Sequence, residues 1–184
     1  SMQVETLSTQ YGAAFAVFTG VTVDYVAVRE RIDRVVFSGS RGGGWQLHTC
    51  GFFGDDLTKI TSNSRSNGTP CWSPDGSKIA WTFYSAAMAG EILVRPAGST
   101  TATHLTNNAA DDEHPTWSPD GRWIAFHSNR TGRDRIWKML ADGTNQVQAV
   151  SPPIGSDETH PAWAPDASKI LYASDRSGVN QIYR

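Results

Sequence analysis

The chain has 184 residues, of which 39% are hydrophobic and 18% charged, and its 16 basic and 18 acidic side chains leave a net charge of −2. This length and composition predict one globular domain with its own core, and the lack of a basic stripe disfavours a nucleic-acid partner. No apolar run approaches the roughly 18 residues of a membrane-spanning helix, so membrane insertion is not expected.

The first predicted strand is residues 3–9, "QVETLST", which resembles two later segments, "LTKITSN" at residues 57–63 and "ATHLTNN" at residues 102–108. Residues 13–28 are also rich in β-forming side chains, but nothing in the pattern assigns them a partner. A glycine-rich segment follows at residues 40–45, "SRGGGW". It lacks the lysine and the helix of a phosphate-binding loop, and is interpreted as a hairpin tip.

Three near-copies of one segment dominate the rest of the chain. They read "PCWSPDGSKIAW", "PTWSPDGRWIAF" and "PAWAPDASKILY", and their leading tryptophans, Trp72, Trp117 and Trp163, recur about every 45 residues. A degenerate first copy begins near Val28, because "FSGSRGGGWQLHT" aligns with "FHSNRTGRDRIWK" when the third copy is shifted back. The chain is therefore expected to be one domain, residues 1–184, with repeats near residues 10–56, 57–101, 102–146 and 147–184 and with residues 2–9 as a closing strand.

Within a copy the hydrophobic pattern is that of short strands joined by tight turns. In the third copy, Ser118-Pro119-Asp120-Gly121 fits a type I turn followed by a hairpin bulge. The aspartates of these turns, Asp75, Asp120 and Asp166, are predicted to be turn formers and not catalytic groups. Short antiparallel strands stacked in copies around an axis predict an all-β fold, a β-propeller of about four four-stranded blades, with each leading tryptophan packed between neighbouring blades.

The Pro-x-Trp-Ser-Pro-Asp-Gly stretch, the apolar strand after it, and the later Ser-x-Arg and Ile-Tyr elements resemble the TolB-type, WD40-like propeller repeat. The resemblance covers residues 37–184 and is strongest from Pro70 onward. It implies the fold more specifically than the function, since such propellers include a periplasmic protein that binds a lipoprotein, propeller domains of peptidases, and oligogalacturonate lyases. The resemblance also implies a soluble chain in the periplasm or outside the cell, although no signal peptide is visible in it.

The number of copies departs from the family, whose propellers generally have six or more blades. The last copy stops at "QIYR", partway through its third strand. The strand at residues 3–9 is predicted to supply the missing fourth strand and close a four-bladed ring. An open fragment and a ring completed by a second chain are the alternatives, and the second of these would make the protein a homo-oligomer.

Two histidines lie three residues before a repeat tryptophan, in "DDEHP" and "SDETHP". This connection lies at the mouth of the axial channel in a propeller, so His114 and His160 are expected to converge there, whereas Thr69 holds the corresponding position in the second copy. The predicted binding face consists of His114, His160, Asp112, Glu113, Asp157, Glu158 and Arg41. The alternatives are that these side chains cap loop amides or that they bind a divalent metal.

Other notable residues are assigned structural roles. Arg41, Arg130 and Arg176 recur after the second strand of a copy and are expected mainly to hold that turn by hydrogen bonds. Two cysteines, Cys50 and Cys71, are too few for a disulfide framework, and two free thiols are favoured over a bridge between them.

Motifs of the common hydrolases are missing. No nucleophile elbow and no His-Glu-x-x-His sequence occurs, and the chain leaves no room for a hydrolase domain. The predicted function is a non-enzymatic β-propeller scaffold that binds a protein or peptide through its channel-mouth loops, with no catalytic residue, metal or cofactor assigned. The alternative is a metal-assisted lyase or hydrolase that acts on a carbohydrate at the same mouth.

Overall fold

The computed structural model of the protein describes residues 4–8, 14–18, 22–29, 34–40, 44–86, 89–151 and 155–184. These residues form strands and turns and include no helix, as the period-two hydrophobic pattern predicts. It follows that the described part of the chain has no helix long and apolar enough to cross a membrane. The all-β fold expected from the sequence is confirmed.

Over the ranges just given, the strands form five antiparallel sheets. The first sheet consists of β1 (Val4–Ser8) and β2 (Ala14–Phe18). The second consists of β3 (Thr22–Arg29), β4 (Arg34–Ser40), β5 (Gln46–Gly51) and β6 (Thr58–Lys59). The third consists of β7 (Asn67–Trp72), β8 (Lys78–Tyr84), β9 (Gly90–Pro96) and β10 (Thr103–His104). The fourth consists of β11 (Asp112–Trp117), β12 (Trp123–Ser128), β13 (Arg135–Leu140) and β14 (Val147–Gln148). The fifth consists of β15 (Glu158–Trp163), β16 (Ile170–Ser174) and β17 (Gln181–Tyr183).

The last four of these sheets are meanders in which each strand pairs with the next one along the chain. The first strands of successive sheets also contact one another, β3 with β7, β7 with β11 and β11 with β15. This arrangement is that of propeller blades, whose first strands line a common axis. It confirms the meander that the repeat pattern predicts.

The strand pairings assign partners to residues 13–28, which the sequence pattern does not, and they assign β6 to a different sheet from the one that the predicted repeat limits imply. Within residues 13–28, β2 pairs with β1, whereas β3 begins the next sheet by pairing with β4. The short strand β6 pairs with β5 and so ends the sheet that β3 begins. The predicted repeat limits, which group β6 with the strands after it, are thus out of phase with the sheets by one strand.

The prediction that the N-terminal strand completes the last sheet is wrong. In β1, Val4 lies opposite Phe18 and Ser8 lies opposite Ala14, so the partner of β1 is β2. Within the described residues, the last sheet contains only β15, β16 and β17. Pairing two strands that are neighbours in the sequence loses little chain entropy, whereas pairing β1 with β17 would bring together strands about 175 residues apart.

The repeat tryptophans pack between successive sheets, as predicted. Trp117 on β11 is 8% exposed and belongs to a cluster with Ile92 of β9 and Ile124 of β12. Trp72 on β7 packs against a second cluster that includes Leu47 of β5. Removing about 200 Å² of indole surface from water stabilises a fold by roughly 5 kcal/mol at most, so each of these contacts holds two blades together.

The turns between the first two strands of the last three copies share a left-handed residue. Its φ is 67° at Gly76, 70° at Gly121 and 59° at Ala167. In the fourth sheet the Ser118 hydroxyl donates a hydrogen bond to the Asp120 carboxylate, which lowers the pKa of Asp120. The prediction that this aspartate forms the turn is therefore confirmed.

Both cysteines are free thiols, as favoured from the sequence. Burial raises the pKa of Cys50 to about 11 and the pKa of Cys71 to about 12. The two thiols are therefore protonated at neutral pH and have the character of small apolar side chains.

Candidate functional site

Each of the repeated first strands β7, β11 and β15 carries a β-bulge just before its proline. The pairing register with the following strand shifts there in all three sheets. The bulge contains Thr69 in β7, His114 in β11 and His160 in β15, whose φ angles are 44°, 54° and 52°. A positive φ costs a non-glycine residue on the order of 1 kcal/mol, so its recurrence at equivalent positions marks these bulges as candidate functional positions.

Thr82 on β8 connects two of the bulges. Its hydroxyl lies 2.8 Å from the Thr69 hydroxyl and accepts a hydrogen bond of 3.2 Å from the backbone N–H of His114. The backbone of the β11 bulge is therefore held against the preceding sheet, and the direction of the His114 side chain is restricted.

Three imidazoles meet at this place. The ring centroids of His114 and His160, which belong to adjacent sheets, are 4.2 Å apart. His127 on β12 joins them, with its ring centroid 5.0 Å from that of His114 and 5.9 Å from that of His160. His127 is 6% exposed, whereas His160 is exposed to solvent. The convergence of His114 and His160 is the arrangement that the repeat spacing predicts.

A carboxylate lies between two of these rings. Glu113 Oε2 is 3.7 Å from His114 Nδ1 and 3.8 Å from His127 Nε2. One nitrogen or oxygen atom from each of these three residues lies within 4.8 Å of the other two. We refer to Glu113, His114, His127 and His160 as the histidine cluster.

Burial controls the ionisation of the cluster. It lowers the pKa of His114 to about 4 and that of His127 to about 3, and the charges of the neighbouring imidazoles add to both shifts. Burial also raises the pKa of Glu113, as does the charge of Asp111, while a hydrogen bond with Tyr84 opposes the shift. At neutral pH the rings of His114 and His127 are therefore uncharged and have lone pairs available.

His127 is absent from the binding face predicted from the sequence. It lies on the second strand of its copy, directly opposite Glu113 in the β11–β12 register. The sequence does contain a signal for His127. Residues at matched distances on either side of the 118–121 turn face each other across the hairpin, and Glu113 and His127 are such a pair.

Two carboxylates of the predicted face are not presented to solvent. Asp112 is completely buried, and Arg130 donates hydrogen bonds of 2.8 and 2.9 Å to its two oxygens. Arg130 also donates to the Gln146 side chain and lies over the Trp137 ring, 4.5 Å from its centroid. The expected role of Arg130 in holding its turn is confirmed.

The carboxylate at the equivalent position of the next sheet is also buried against an arginine, but this arginine belongs to β13 of the preceding sheet. Glu158 is completely buried, accepts a hydrogen bond of 2.8 Å from Arg135, and accepts another of 2.6 Å from the Ser156 hydroxyl. Asp112 and Glu158 therefore stabilise the starts of β11 and β15 and are not free to contact a ligand.

The remaining predicted residues lie in different environments. The Asp157 side chain is 41% exposed and pairs with Arg133 at 3.2 Å, so it is accessible beside the buried Glu158. Arg41 lies outside the described residues. The Arg176 guanidinium is centred 3.4 Å from the centroid of the Tyr183 ring, which places it on the aromatic face of β17.

Comparison with known sequences identifies the repeat. Residues 56–153 match the model of the PD40 family, described as the TolB beta propeller domain. A curated relative, the Protein TolB homolog of Chlorobaculum tepidum, is 38% identical over 53 residues, which are 29% of this chain and 12% of the relative. The segment that matches this relative is thus a small part of its length.

Solved structures share the fold over most of the chain. A TolB-type protein from Agrobacterium tumefaciens superposes with a TM-score of 0.77 at 24% identity, over 89% of this chain and 59% of that one. The nidogen/laminin complex gives a TM-score of 0.73 at 13% identity, over 98% of this chain and 76% of that one. An oligogalacturonate lyase in complex with manganese gives a TM-score of 0.67 at 16% identity, over 93% of this chain and 50% of that one. At these identities the likenesses show the propeller fold alone.

Proposed function

Because the chain belongs to the TolB β-propeller family, we propose that it is a non-enzymatic scaffold that binds a protein or peptide through the loops at its channel mouth. Propellers hold such loops on rigid sheets, which leaves the loop side chains free to specify a ligand. A solved neighbour of the same fold occurs in a complex of nidogen with laminin, which agrees with a role in protein binding. A periplasmic or extracellular location belongs to the same proposal.

One observation carries the proposal, the 4.2 Å approach of the His114 and His160 rings. Each ring projects from a bulge with a positive φ, and the two bulges belong to adjacent sheets. Side chains from separate blades therefore form one continuous surface, which is what a ligand spanning two blades requires.

The charge around this surface selects the kind of ligand. Burial and the charges of Asp157 and Asp111 raise the pKa of Asp134, because these carboxylates lie near one another. Asp157 is exposed and pairs with Arg133 at 3.2 Å. A surface with this excess of carboxylates favours a segment with lysine or arginine side chains.

The test is selection from a displayed library of random peptides on the immobilised chain, with EDTA present, followed by measurement of Kd for the selected peptides. We expect enrichment of basic peptides and at least tenfold weaker binding to the His160→Ala and Asp157→Asn variants. The matched controls are His104→Ala and Asp56→Asn, which change the same residue types at exposed positions on other sheets. Equal affinity for all four variants would place the binding surface elsewhere and refute the proposal.

The alternative of a carbohydrate lyase or hydrolase has support from the shared fold only. The likeness to the oligogalacturonate lyase rests on 16% identity and so supports the fold without supporting the activity.

A further inference from the structure

Packing alone does not account for the histidine cluster. The Nδ1 atom of His114 lacks a hydrogen-bond partner among the described residues, although the side chain is only 22% exposed, and the Glu113 Oε2 atom that lies near it also lies near Nε2 of the buried His127. A buried ring nitrogen without a partner costs free energy that an apolar side chain of the same shape would avoid. Three imidazoles and a carboxylate at one point therefore call for a ligand that binds lone pairs.

We propose that Glu113, His114, His127 and His160 bind one divalent transition-metal ion, for which Zn²⁺ is the best match. Imidazole nitrogens and a carboxylate oxygen are typical zinc ligands, and four of them complete a tetrahedral set. The sequence leaves a divalent metal at the channel mouth as an alternative, and the structure supplies a specific donor set for it that includes His127. This inference does not depend on the proposed peptide ligand.

The distances fit a tetrahedral ion. Ligand atoms about 2.1 Å from zinc lie about 3.4 Å from each other. Glu113 Oε2 already lies 3.7 Å from His114 Nδ1 and 3.8 Å from His127 Nε2, so small changes in side-chain torsions suffice. The ligand atoms of Glu113, His114 and His127 already lie within 4.8 Å of one another. The His160 ring lies beside them, 4.2 Å from His114 and 5.9 Å from His127 between centroids, and a change of its side-chain torsions would bring its Nε2 to the ion.

The neighbours of the cluster orient two of its members. His160 Nδ1 is 2.9 Å from the Thr159 hydroxyl, a contact that leaves its Nε2 for an ion. Tyr84 hydrogen bonds to Glu113 and so restricts the direction of that carboxylate. Such outer contacts are usual around metal ligands, because they fix the ring and carboxylate orientations before the ion binds.

The ion would join two blades. Glu113, His114 and His127 belong to the sheet of β11–β14, whereas His160 belongs to the sheet of β15–β17. A bound ion would therefore link the last two sheets directly, and zinc binding would raise the thermal stability of the chain.

The tag-free chain is first stripped of metal with EDTA and dialysed. It is then titrated with Zn²⁺ alone, followed by calorimetry, and separately with Co²⁺, followed by visible absorption. We expect roughly one ion per chain, a Kd below about 1 µM, and Co²⁺ bands of tetrahedral intensity. Glu113→Gln, which keeps the size of the side chain, and His127→Gln should weaken zinc binding at least ~100-fold, and His160→Gln at least ~10-fold.

His104→Gln is the matched control, because His104 lies on β10, outside the cluster, and its replacement should leave the zinc Kd unchanged. Absence of binding, or an unchanged Kd in Glu113→Gln or His160→Gln, would overturn the four-residue site. If His127→Gln does not fold, Glu113→Gln and the Co²⁺ spectrum decide the question. Because the titration uses the metal alone, a failure to bind zinc would say nothing about the proposed peptide binding.

Discussion

Arg130 donates hydrogen bonds to both carboxylate oxygens of the fully buried Asp112, at 2.8 and 2.9 Å, and so ties the turn after β12 to the start of β11. An ion pair of this geometry is costly to break from one side, because the remaining charge stays buried without its partner. A second buried carboxylate, Glu158, is also paired with an arginine, but its partner Arg135 comes from the preceding sheet and is not the repeat equivalent of Arg130.

Replacement of Arg130 by methionine is therefore expected to destabilise the fold by about 3 kcal/mol, measured as the free energy of unfolding in urea. The control is Arg133→Met, which breaks the pair with Asp157, whose side chains are 49% and 41% exposed. That change should cost less than about 1 kcal/mol, because solvent screens an exposed pair. Similar losses in the two variants would contradict a structural role for the buried pair.

The turn residue Ala167 provides a prediction with the opposite sign. Its φ of 59° matches the values at Gly76 and Gly121, where the turn has a glycine. Ala167→Gly should stabilise the protein by about 0.5–1 kcal/mol, because glycine carries no penalty for this conformation. Gly121→Ala should destabilise by a similar amount, since no atom lies closer than 3.9 Å to the added carbon and only the backbone conformation opposes it. Thermal or urea unfolding measures both changes, and a less stable Ala167→Gly protein would mean that this turn has another geometry.

The histidine cluster predicts loss of stability in mild acid when EDTA keeps the protein free of metal. The folded pKa values of about 4 for His114 and about 3 for His127 lie below the ordinary 6.5, so the unfolded chain binds protons first as the pH falls. This contribution to stability is complete above about pH 7 and is lost from there down toward pH 4. Between pH 7.5 and 5.5 the two rings together should cost about 2 kcal/mol.

The measurement is the free energy of unfolding at several pH values between 7.5 and 5.5. The raised pKa of Glu113 opposes the loss, because this carboxyl takes up its proton first in the folded chain. His127→Gln removes one of the two titrating groups and should reduce the loss by about half. A stability that is flat between pH 7.5 and 5.5 would show that the two rings ionise normally in the folded chain.

The thiols are expected to be inert in the native protein. With pKa values of about 11 for Cys50 and about 12 for Cys71, the thiolate fraction at pH 8 is on the order of 0.1% or less. A thiol-specific reagent should therefore react slowly with the folded chain and rapidly with both residues in guanidinium. Fast stoichiometric labelling of the native protein would contradict this burial.

The repeat made much of the fold predictable, because a recurring residue with one physical role has the same role in every copy. Trp117 illustrates this, since its position in the pattern implies packing between blades and it lies in a cluster formed by two sheets. The partner of the N-terminal strand was not predictable in that way. Residues 3–9 have the composition of a fourth strand, but composition does not determine which edge a strand pairs with, and the short hairpin to β2 forms instead.

The site was predictable in part for a related reason. His114 and His160 occupy equivalent positions before a proline, so the period of the repeat brings them together. His127 has no equivalent histidine in the other copies, and only the register of β11 with β12 places it beside Glu113. Asp112 and Glu158 were assigned to an exposed face because sequence does not reveal that a charged side chain is buried with an arginine partner.

The recurring bulge has a consequence for how proteins of this kind change. The same left-handed backbone accommodates threonine at position 69 and histidine at positions 114 and 160, so the conformation does not depend on which of these side chains is present. A substitution at one such position can alter the chemistry of the surface while the neighbouring sheets keep their pairing. New specificity can thus arise, or be engineered, one blade at a time.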